Sequence, residues 1–257
     1  MWHRKDVGWG RPLVLLHGIG MSHAVWKPVM PFLAGLRRVI AFDIAGFGRT
    51  PPLPDETPPT ISNLVDGLEG SLRELGVRFP VDFAGNSLGG CMALEAARRG
   101  LAGHAVALAP IGLWEEHPAF HVQYVFRSLR LMATRCPVLV KALMQRRLTR
   151  ELALAVPISV GSGRMPATDA VRTADDLGAS TAFEATFEHT RAPFSGRDID
   201  VPVTVAFGSR DWILTEGSRN RSALPAHARW VQKRGWGHVP MWIDPRGVSD
   251  LILESTR

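Results

Sequence analysis

The sequence predicts an α/β fold in which a mostly parallel sheet of about seven strands is flanked by helices. Short apolar runs bounded by turn residues, typical of buried strands, alternate with longer amphipathic stretches of helical period. The 257 residues suffice for one domain with a sizeable core, and 46% hydrophobic with 21% charged residues is ordinary for a globular protein. The alternation stops over residues 112–198, where apolar and basic residues recur at helical spacing, so an inserted helical cap is expected there.

These patterns place the individual elements. Apolar runs predict strands at residues 13–16, 39–42, 81–85, 105–109, 203–207 and 229–233. Amphipathic stretches predict helices at about residues 24–36, 61–75, 88–99 and 240–254. Pro193, Gly196 and Pro202 punctuate the exit from the inserted segment. The predicted domains are therefore a core of residues 1–111 and 199–257 and a helical cap of residues 112–198.

The composition argues against several classes of function. A net charge of +6 could suggest a nucleic-acid partner, but no basic run is interleaved with aromatic residues, so none is expected. No apolar run approaches the ~18 residues of a membrane helix, and the first residues hold no apolar signal segment, so no membrane association and a cytoplasmic location are expected. Cys91 and Cys136 lie far apart and are interpreted as buried or partly buried free thiols.

Residues 81–90, Val-Asp-Phe-Ala-Gly-Asn-Ser-Leu-Gly-Gly, carry the most chemical information. A strand ends in Gly-x-Ser-x-Gly and continues into a helix, so Ser87 is predicted on a tight, strained turn that exposes its hydroxyl above the sheet. Side chains at Gly85 and Gly89 would collide with neighbouring backbone, which explains the glycines. The backbone N–H of Leu88 and the positive end of the helix dipole can then stabilise an oxyanion.

Two further segments resemble the α/β-hydrolase-fold serine hydrolases, a family that includes carboxylesterases. Leu-Val-Leu-Leu-His-Gly-Ile-Gly at residues 13–20 looks like that family's oxyanion loop, and the resemblance implies that Ile19 donates the second backbone N–H. Asp-Ile-Ala-Gly-Phe-Gly-Arg-Thr at residues 43–50 resembles the family's Asp-x-x-Gly-x-Gly-x-Ser/Thr loop, where Asp43 is expected to orient the loop through backbone hydrogen bonds. Only about a dozen residues precede the oxyanion loop, so the first antiparallel edge strand of the family is expected to be missing.

A serine hydroxyl needs a base, and the base needs a carboxylate to fix its tautomer. The family's chain order is serine, acid, histidine. Asp211 lies three residues past the strand predicted at 203–207 and has little competition, because Asp200 lies at the wrong end of that strand. His238 follows the final strand between Gly237 and a closing helix, a setting that no other histidine shares. The predicted catalytic triad is Ser87, Asp211 and His238.

The cap is expected to cover this triad and to leave a closed, mainly apolar pocket that favours short to medium uncharged acyl esters. Substrate contacts are predicted for Ile19, Asn86, Leu88, Leu113, Trp114, Trp212 and Val239. Some apolar cap residues are also expected to line the pocket, from the set Leu113, Trp114, Phe120, Val125, Phe126, Leu129, Leu131 and Met132.

The leading hypothesis is hydrolysis of a small carboxylic ester through an acyl-enzyme, with no metal and no cofactor, by a monomer or homodimer. No pair of ligands has zinc-site spacing. The same triad also serves carbon–carbon bond hydrolases, enol-lactonases and perhydrolases, although residues 17–20 lack the Ser/Gly-Pro-Gly run that the carbon–carbon enzymes tend to show. A ligand-binding protein that uses the fold without turnover is the hypothesis from another class.

Overall fold

A computed structural model describes residues 1–116, 120–155 and 158–257, and it leaves the side chain of Phe120 undescribed. Seven strands form one sheet in the order β1-β3-β2-β4-β5-β6-β7, and every neighbouring pair is parallel except β1 with β3. The strands are β1 Arg4–Val7, β2 Pro12–Leu16, β3 Arg38–Phe42, β4 Val81–Asn86, β5 Ala102–Leu108, β6 Val203–Gly208 and β7 Arg229–Lys233. The predicted fold class and strand number are confirmed.

One antiparallel strand nevertheless forms at the sheet edge where none was located from the sequence. β1 pairs with β3, from Arg4 opposite Phe42 to Val7 opposite Val39. Residues 1–11 contain this one strand, whereas the family's initial hairpin has two. The first strand of the hairpin is therefore missing from these residues, as expected, and the second is present. Charged side chains on this short strand protect the sheet edge from pairing with another chain.

The helices cover both faces of the sheet and one of its ends. They are α1 Met30–Ala34, α2 Ile61–Glu74, α3 Leu88–Arg98, α4 Phe120–Arg135, α5 Pro137–Gln145, α6 Arg147–Leu154, α7 Ala167–Ala179, α8 Phe183–His189 and α9 Pro245–Ser255. Two predicted helices are interrupted, because proline lacks an N–H and clashes with the preceding turn. The helix predicted at 24–36 is instead a 3-10 turn, His23–Trp26, followed by α1. The helix predicted at 240–254 is a 3-10 turn, Pro240–Trp242, followed by α9.

The core lies on both sides of the sheet because alternate residues of each strand face opposite ways. Val14 and Leu16 belong to the apolar cluster that includes residues of α2 and α3, whereas Leu13 and Leu15 belong to the cluster with α1 and α9. Cys91 is buried in α3, as expected. No helix in the described part of the chain is long and apolar enough to cross a membrane.

Helices α4–α8 all lie between β5 and β6, and polar contacts tie α7 to the loop after β2. The Ser22 hydroxyl donates to Asp176 at 2.6 Å, and the Lys27 ammonium pairs with Asp169 at 2.9 Å. Part of this segment packs on itself through a small cluster that contains Met144 and Met165. The division into a core and a cap with the boundaries given above stays a prediction.

Candidate active site

Ser87 lies on the turn between β4 and α3 in a backbone conformation that non-glycine residues seldom adopt. Its φ is 56°, in the left-handed region, which costs about 1–3 kcal/mol when the surrounding structure enforces it. A Cβ at Gly85 would clash with the Gly89 carbonyl group, and a Cβ at Gly89 would clash with the Leu16 carbonyl oxygen. The two glycines therefore permit the tight turn, as the motif predicts.

Asp211 and His238 form a buried pair at the same edge of the sheet. Asp211 Oδ2 lies 3.0 Å from His238 Nδ1, and Asp211 Oδ1 accepts from the backbone N–H groups of Ile213 and Leu214, each at 3.0 Å. Burial alone would raise the pKa of Asp211, but the His238 charge and these hydrogen bonds hold it below its usual value. Asp211 is thus an anion that orients the imidazole.

The other imidazole nitrogen, His238 Nε2, is buried and has no hydrogen-bond partner among the described residues. Buried polar atoms are nearly always paired, so an unpaired one marks a position where another molecule or a moving side chain belongs. The backbone of His238 is also held beside the Ser87 turn, because Asn86 Nδ2 donates to the His238 carbonyl oxygen at 2.9 Å. The structure therefore places the Asp211–His238 pair next to the turn that carries Ser87.

The oxyanion loop after β2 is fixed by His17. Its Nδ1 donates to the Gly18 carbonyl oxygen at 2.7 Å, and its Nε2 accepts from the Ile44 N–H at 2.9 Å. The C=O and N–H of one trans peptide point in opposite directions, so fixing the Gly18 carbonyl aims the Ile19 N–H the other way. Burial lowers the pKa of His17 to about 4, which keeps it in the neutral form that both hydrogen bonds require.

Ile19 and Leu88, the two predicted oxyanion donors, both line the cavity that contains Ser87. Among the hydrogen bonds of the described residues, neither of their N–H groups has a backbone acceptor. The Leu88 N–H lies at the N-terminus of α3, where the helix dipole favours negative charge. Both donors are therefore free to bind a developing oxyanion.

Asp43 orients the loop after β3 through backbone hydrogen bonds, as expected. Its carboxylate accepts from the N–H of His23 at 2.7 Å and from the N–H of Arg49 at 3.0 Å. The imidazoles of His3 and His23 also contact it, and ligand atoms of the three side chains lie within 4.8 Å of one another. Burial opposes the charge of Asp43, but these hydrogen bonds lower its pKa far below the usual value. The carboxylate oxygens are already occupied by these donors.

Two neighbouring cavities share Ile19 and Phe126 as lining residues, and one of them contains Ser87. The smaller, about 30 Å³, contains Ser87, and the larger, about 290 Å³, lies between the loop after β2 and helices α4, α5 and α7. Of the predicted substrate-contacting residues, Leu88 and Trp114 line the smaller cavity and Val239 the larger one, while Ile19 lines both.

Three predicted substrate contacts are not supported by the structure. Asn86 is fully buried and donates to the carbonyl oxygens of Leu108 and His238, so it holds backbone and lines neither cavity. Leu113 is fully buried in the core beside the sheet. Trp212 is 55% exposed and lines neither cavity. For Asn86 and Trp212, a position beside a catalytic residue in the sequence did not place the side chain in either cavity.

The apolar cap residues divide in the same way. Phe126, Leu129 and Met132 line the larger cavity, and Phe126 lines the smaller one as well. Val125 packs against the core, and Leu131 is 56% exposed. The side chain of Phe120 lies outside the described residues.

Several residues that line the Ser87 cavity have no sequence signal. They come from the segment between β5 and β6 or from the loop after β6: Ile111, Val122, Phe187, Thr190, Arg191 and Ile213. Helical apolar stripes are core by default, so nothing in the pattern separates these residues from packing residues.

Two of the curated proteins that resemble the chain match it over about a third of its length. It is 43% identical over 97 residues to a 2-hydroxy-6-oxo-2,4-heptadienoate hydrolase of Pseudomonas putida, covering 37% of this chain and 34% of that protein. It is 35% identical over 95 residues to a pimeloyl-[acyl-carrier protein] methyl ester esterase of Legionella pneumophila, covering 37% of this chain and 35% of that protein. The matched regions thus span about a third of these relatives.

Solved structures match over nearly the whole chain at low identity, which shows the fold alone. The carboxylesterase CesB of Bacillus subtilis has a TM-score of 0.73 at 19% identity, covering 97% of this chain and 85% of that one. The enol-lactonase of Burkholderia xenovorans has a TM-score of 0.65 at 20% identity, covering 98% and 95%. A family model described as the alpha/beta hydrolase fold matches residues 11–245. The chain therefore belongs to the α/β-hydrolase-fold family, as its motifs indicate.

Proposed function

We propose that the chain is a serine hydrolase that cleaves a small carboxylic ester through an acyl-enzyme intermediate. The observation that carries the proposal is the arrangement of Ser87 on its strained turn beside the buried Asp211–His238 pair, whose Nε2 has no partner among the described residues. Strain at a non-glycine residue is kept where function requires it.

Each step uses a group of the chain. Ser87 Oγ attacks the ester carbonyl carbon while His238 Nε2 accepts the hydroxyl proton, and Asp211 stabilises the resulting imidazolium. The N–H groups of Ile19 and Leu88 bind the oxyanion of the tetrahedral intermediate. His238 returns the proton to the departing alcohol. Water then attacks the acyl-enzyme by the same sequence, which releases the acid and restores Ser87.

The test combines turnover with covalent labelling. Nitrophenyl acetate is expected to be hydrolysed, and a fluorophosphonate probe is expected to label the wild type at Ser87. Ser87→Ala is expected to abolish labelling and to lower kcat by about 10⁴ to 10⁶ while the protein stays folded. Ser222→Ala, which changes an exposed serine, serves as the matched control and should behave as wild type.

Retention of more than about a tenth of wild-type turnover in Ser87→Ala would contradict the proposal, given the loss expected for a catalytic nucleophile. Absence of both labelling and turnover in the folded wild type would instead favour a ligand-binding protein that uses the fold without catalysis.

Carbon–carbon bond hydrolysis on the same triad is the second candidate. The identity of 43% over 97 residues with the heptadienoate hydrolase favours it. Arg191, which pairs with Glu188 at 3.2 Å, also lines the Ser87 cavity and supplies a cation near an acid group of such a substrate. Turnover of a vinylogous diketone acid compared with nitrophenyl esters separates the two. A kcat/KM that is higher for the diketone acid would replace the ester proposal.

We also retain three finer expectations as part of this proposal. The protein works as a monomer or homodimer, it acts in the cytoplasm, and it needs no partner other than its small-molecule substrate.

A further inference from the structure

The two cavities that share Ile19 and Phe126 are very unequal in volume. The cavity that contains Ser87 measures about 30 Å³, which is the share of liquid volume that one water molecule occupies. In this conformation the Ser87 cavity leaves little room for an acyl chain beside the nucleophile. The neighbouring cavity of about 290 Å³ has roughly twice the volume of the ~150 Å³ apolar cavity that holds one benzene molecule.

The larger cavity is mainly apolar. Most of its lining in the described part of the chain is aliphatic, aromatic or thioether; Ser159, Ser162 and Thr173 also line it, and no charged side chain does. Burying a charge there without a partner would be costly, so its occupant is an uncharged apolar group. Since a cavity of ~150 Å³ holds the six carbon atoms of benzene, a cavity of this volume holds about ten to twelve non-hydrogen atoms.

Ile19 and Phe126 are the residues that line both cavities. Ile19 belongs to the oxyanion loop, and His17 fixes the peptide before it, so this wall is held in place. Phe126 projects from α4, and its ring lies 6.5 Å from the rings of both His238 and Phe187. Ile19 and Phe126 thus form the boundary that the two cavities share, and the Phe126 ring is the larger of the two side chains.

We propose that Phe126 determines acyl-chain specificity by separating the Ser87 cavity from the larger cavity, which is the compartment for an uncharged acyl chain of up to about ten carbons. The acyl arm is assigned to the enclosed compartment because it stays bound during the acyl-enzyme stage, whereas the alcohol must leave before water arrives. This inference rests on the ester hydrolysis proposed above.

The kinetic test compares kcat/KM for nitrophenyl decanoate with that for nitrophenyl acetate. Phe126→Ala joins the cavities and is expected to raise the decanoate-to-acetate ratio about tenfold, while Phe126→Trp is expected to lower it. Ala174→Leu, which fills the far wall of the larger cavity, should lower the ratio in the wild type and in Phe126→Ala. Leu131→Ala, an exposed position on the same helix, is the matched control and should leave the ratio unchanged.

The proposal is overturned if Phe126→Ala and Phe126→Trp leave the ratio unchanged while acetate is still hydrolysed. It is also overturned if the gain of Phe126→Ala appears with decyl acetate and not with the decanoate, because the alcohol arm would then occupy the larger cavity.

A binding measurement distinguishes failure of the Phe126 proposal from failure of the proposed ester hydrolysis. Calorimetry with methyl decanoate on Ser87→Ala needs no turnover. Adding Phe126→Ala should tighten binding about tenfold, and adding Ala174→Leu should weaken it. Unchanged affinity for methyl decanoate in both double variants would refute the assignment of the larger cavity to the acyl chain. If the affinities shift as expected but the wild type does not hydrolyse nitrophenyl esters, the catalytic proposal is refuted and the assignment of the cavity is not.

Discussion

His17 makes the stability of the fold depend on pH in a way that can be measured. Burial lowers its pKa to about 4 in the folded protein, whereas an imidazole in the unfolded chain titrates near 6.5. As the pH falls through this window, the unfolded chain takes up a proton and the folded protein does not. The free energy of unfolding must therefore decrease on acidification, and the contribution is lost between about pH 6.5 and pH 4.

The magnitude follows from the two pKa values. Linkage gives a loss of about 2 kcal/mol from His17 between pH 7 and pH 5, and about 3 kcal/mol by pH 4. Below that, protonation of Nε2 removes the acceptor for the Ile44 N–H, so the oxyanion loop loses its support in the folded protein as well.

Urea unfolding at pH 7 and pH 5 checks this magnitude. His17→Gln keeps an acceptor of similar reach but does not titrate, so its stability should fall by about 2 kcal/mol less than that of the wild type between the two pH values. All other titrating groups are shared and cancel in the comparison. His227→Gln, at an exposed imidazole, should lose as much as the wild type. Equal losses in the wild type and His17→Gln would refute the reasoning.

Three further predictions concern the site and its support. Asp211→Asn should lower kcat by about 10⁴ without unfolding the protein, since the amide no longer fixes the reactive tautomer of His238; activity within tenfold of wild type would exclude the orienting role. Gly89→Ala should destabilise the fold by about 2–4 kcal/mol in urea unfolding, because its Cβ meets the Leu16 carbonyl, whereas Gly70→Ala, with open space around its Cβ in α2, should be neutral or stabilising. Dialysis against EDTA should leave ester hydrolysis intact, since the proposed steps use only groups of the chain, and a loss of activity restored by zinc would contradict the mechanism.

The candidate triad could be predicted because its chemistry depends on local spacing. Gly85 is required by a backbone contact within the turn, with the Gly89 carbonyl, and Gly89 by a contact with the Leu16 carbonyl of the neighbouring strand β2. Asp211 follows β6, whose apolar run is readily recognised, and His238 follows β7, so the carboxyl edge of a parallel sheet brings both towards Ser87.

The lining of the pocket could not be predicted, because it depends on which way side chains turn after the chain folds. Asn86 precedes the nucleophile but faces the backbone of a neighbouring strand, and Trp212 follows the acid but lies outside. Phe126 stands among many apolar residues of α4, and sequence periodicity does not distinguish it from them. β1 was missed for a related reason: Arg4, Lys5 and Asp6 form an exposed edge without apolar alternation.

The long connection between β5 and β6 has a consequence for how this chain can change. Residues 109–202 join two strands that pair directly in parallel. The entropy of closing such a connection grows only with the logarithm of its length, so a tenfold longer one costs about 2 kcal/mol more. A segment with its own apolar cluster offsets a cost of that size. This connection can therefore lengthen or shorten, and the residues that line the larger cavity can be replaced. The ends of the strands that hold the reacting groups would keep their positions.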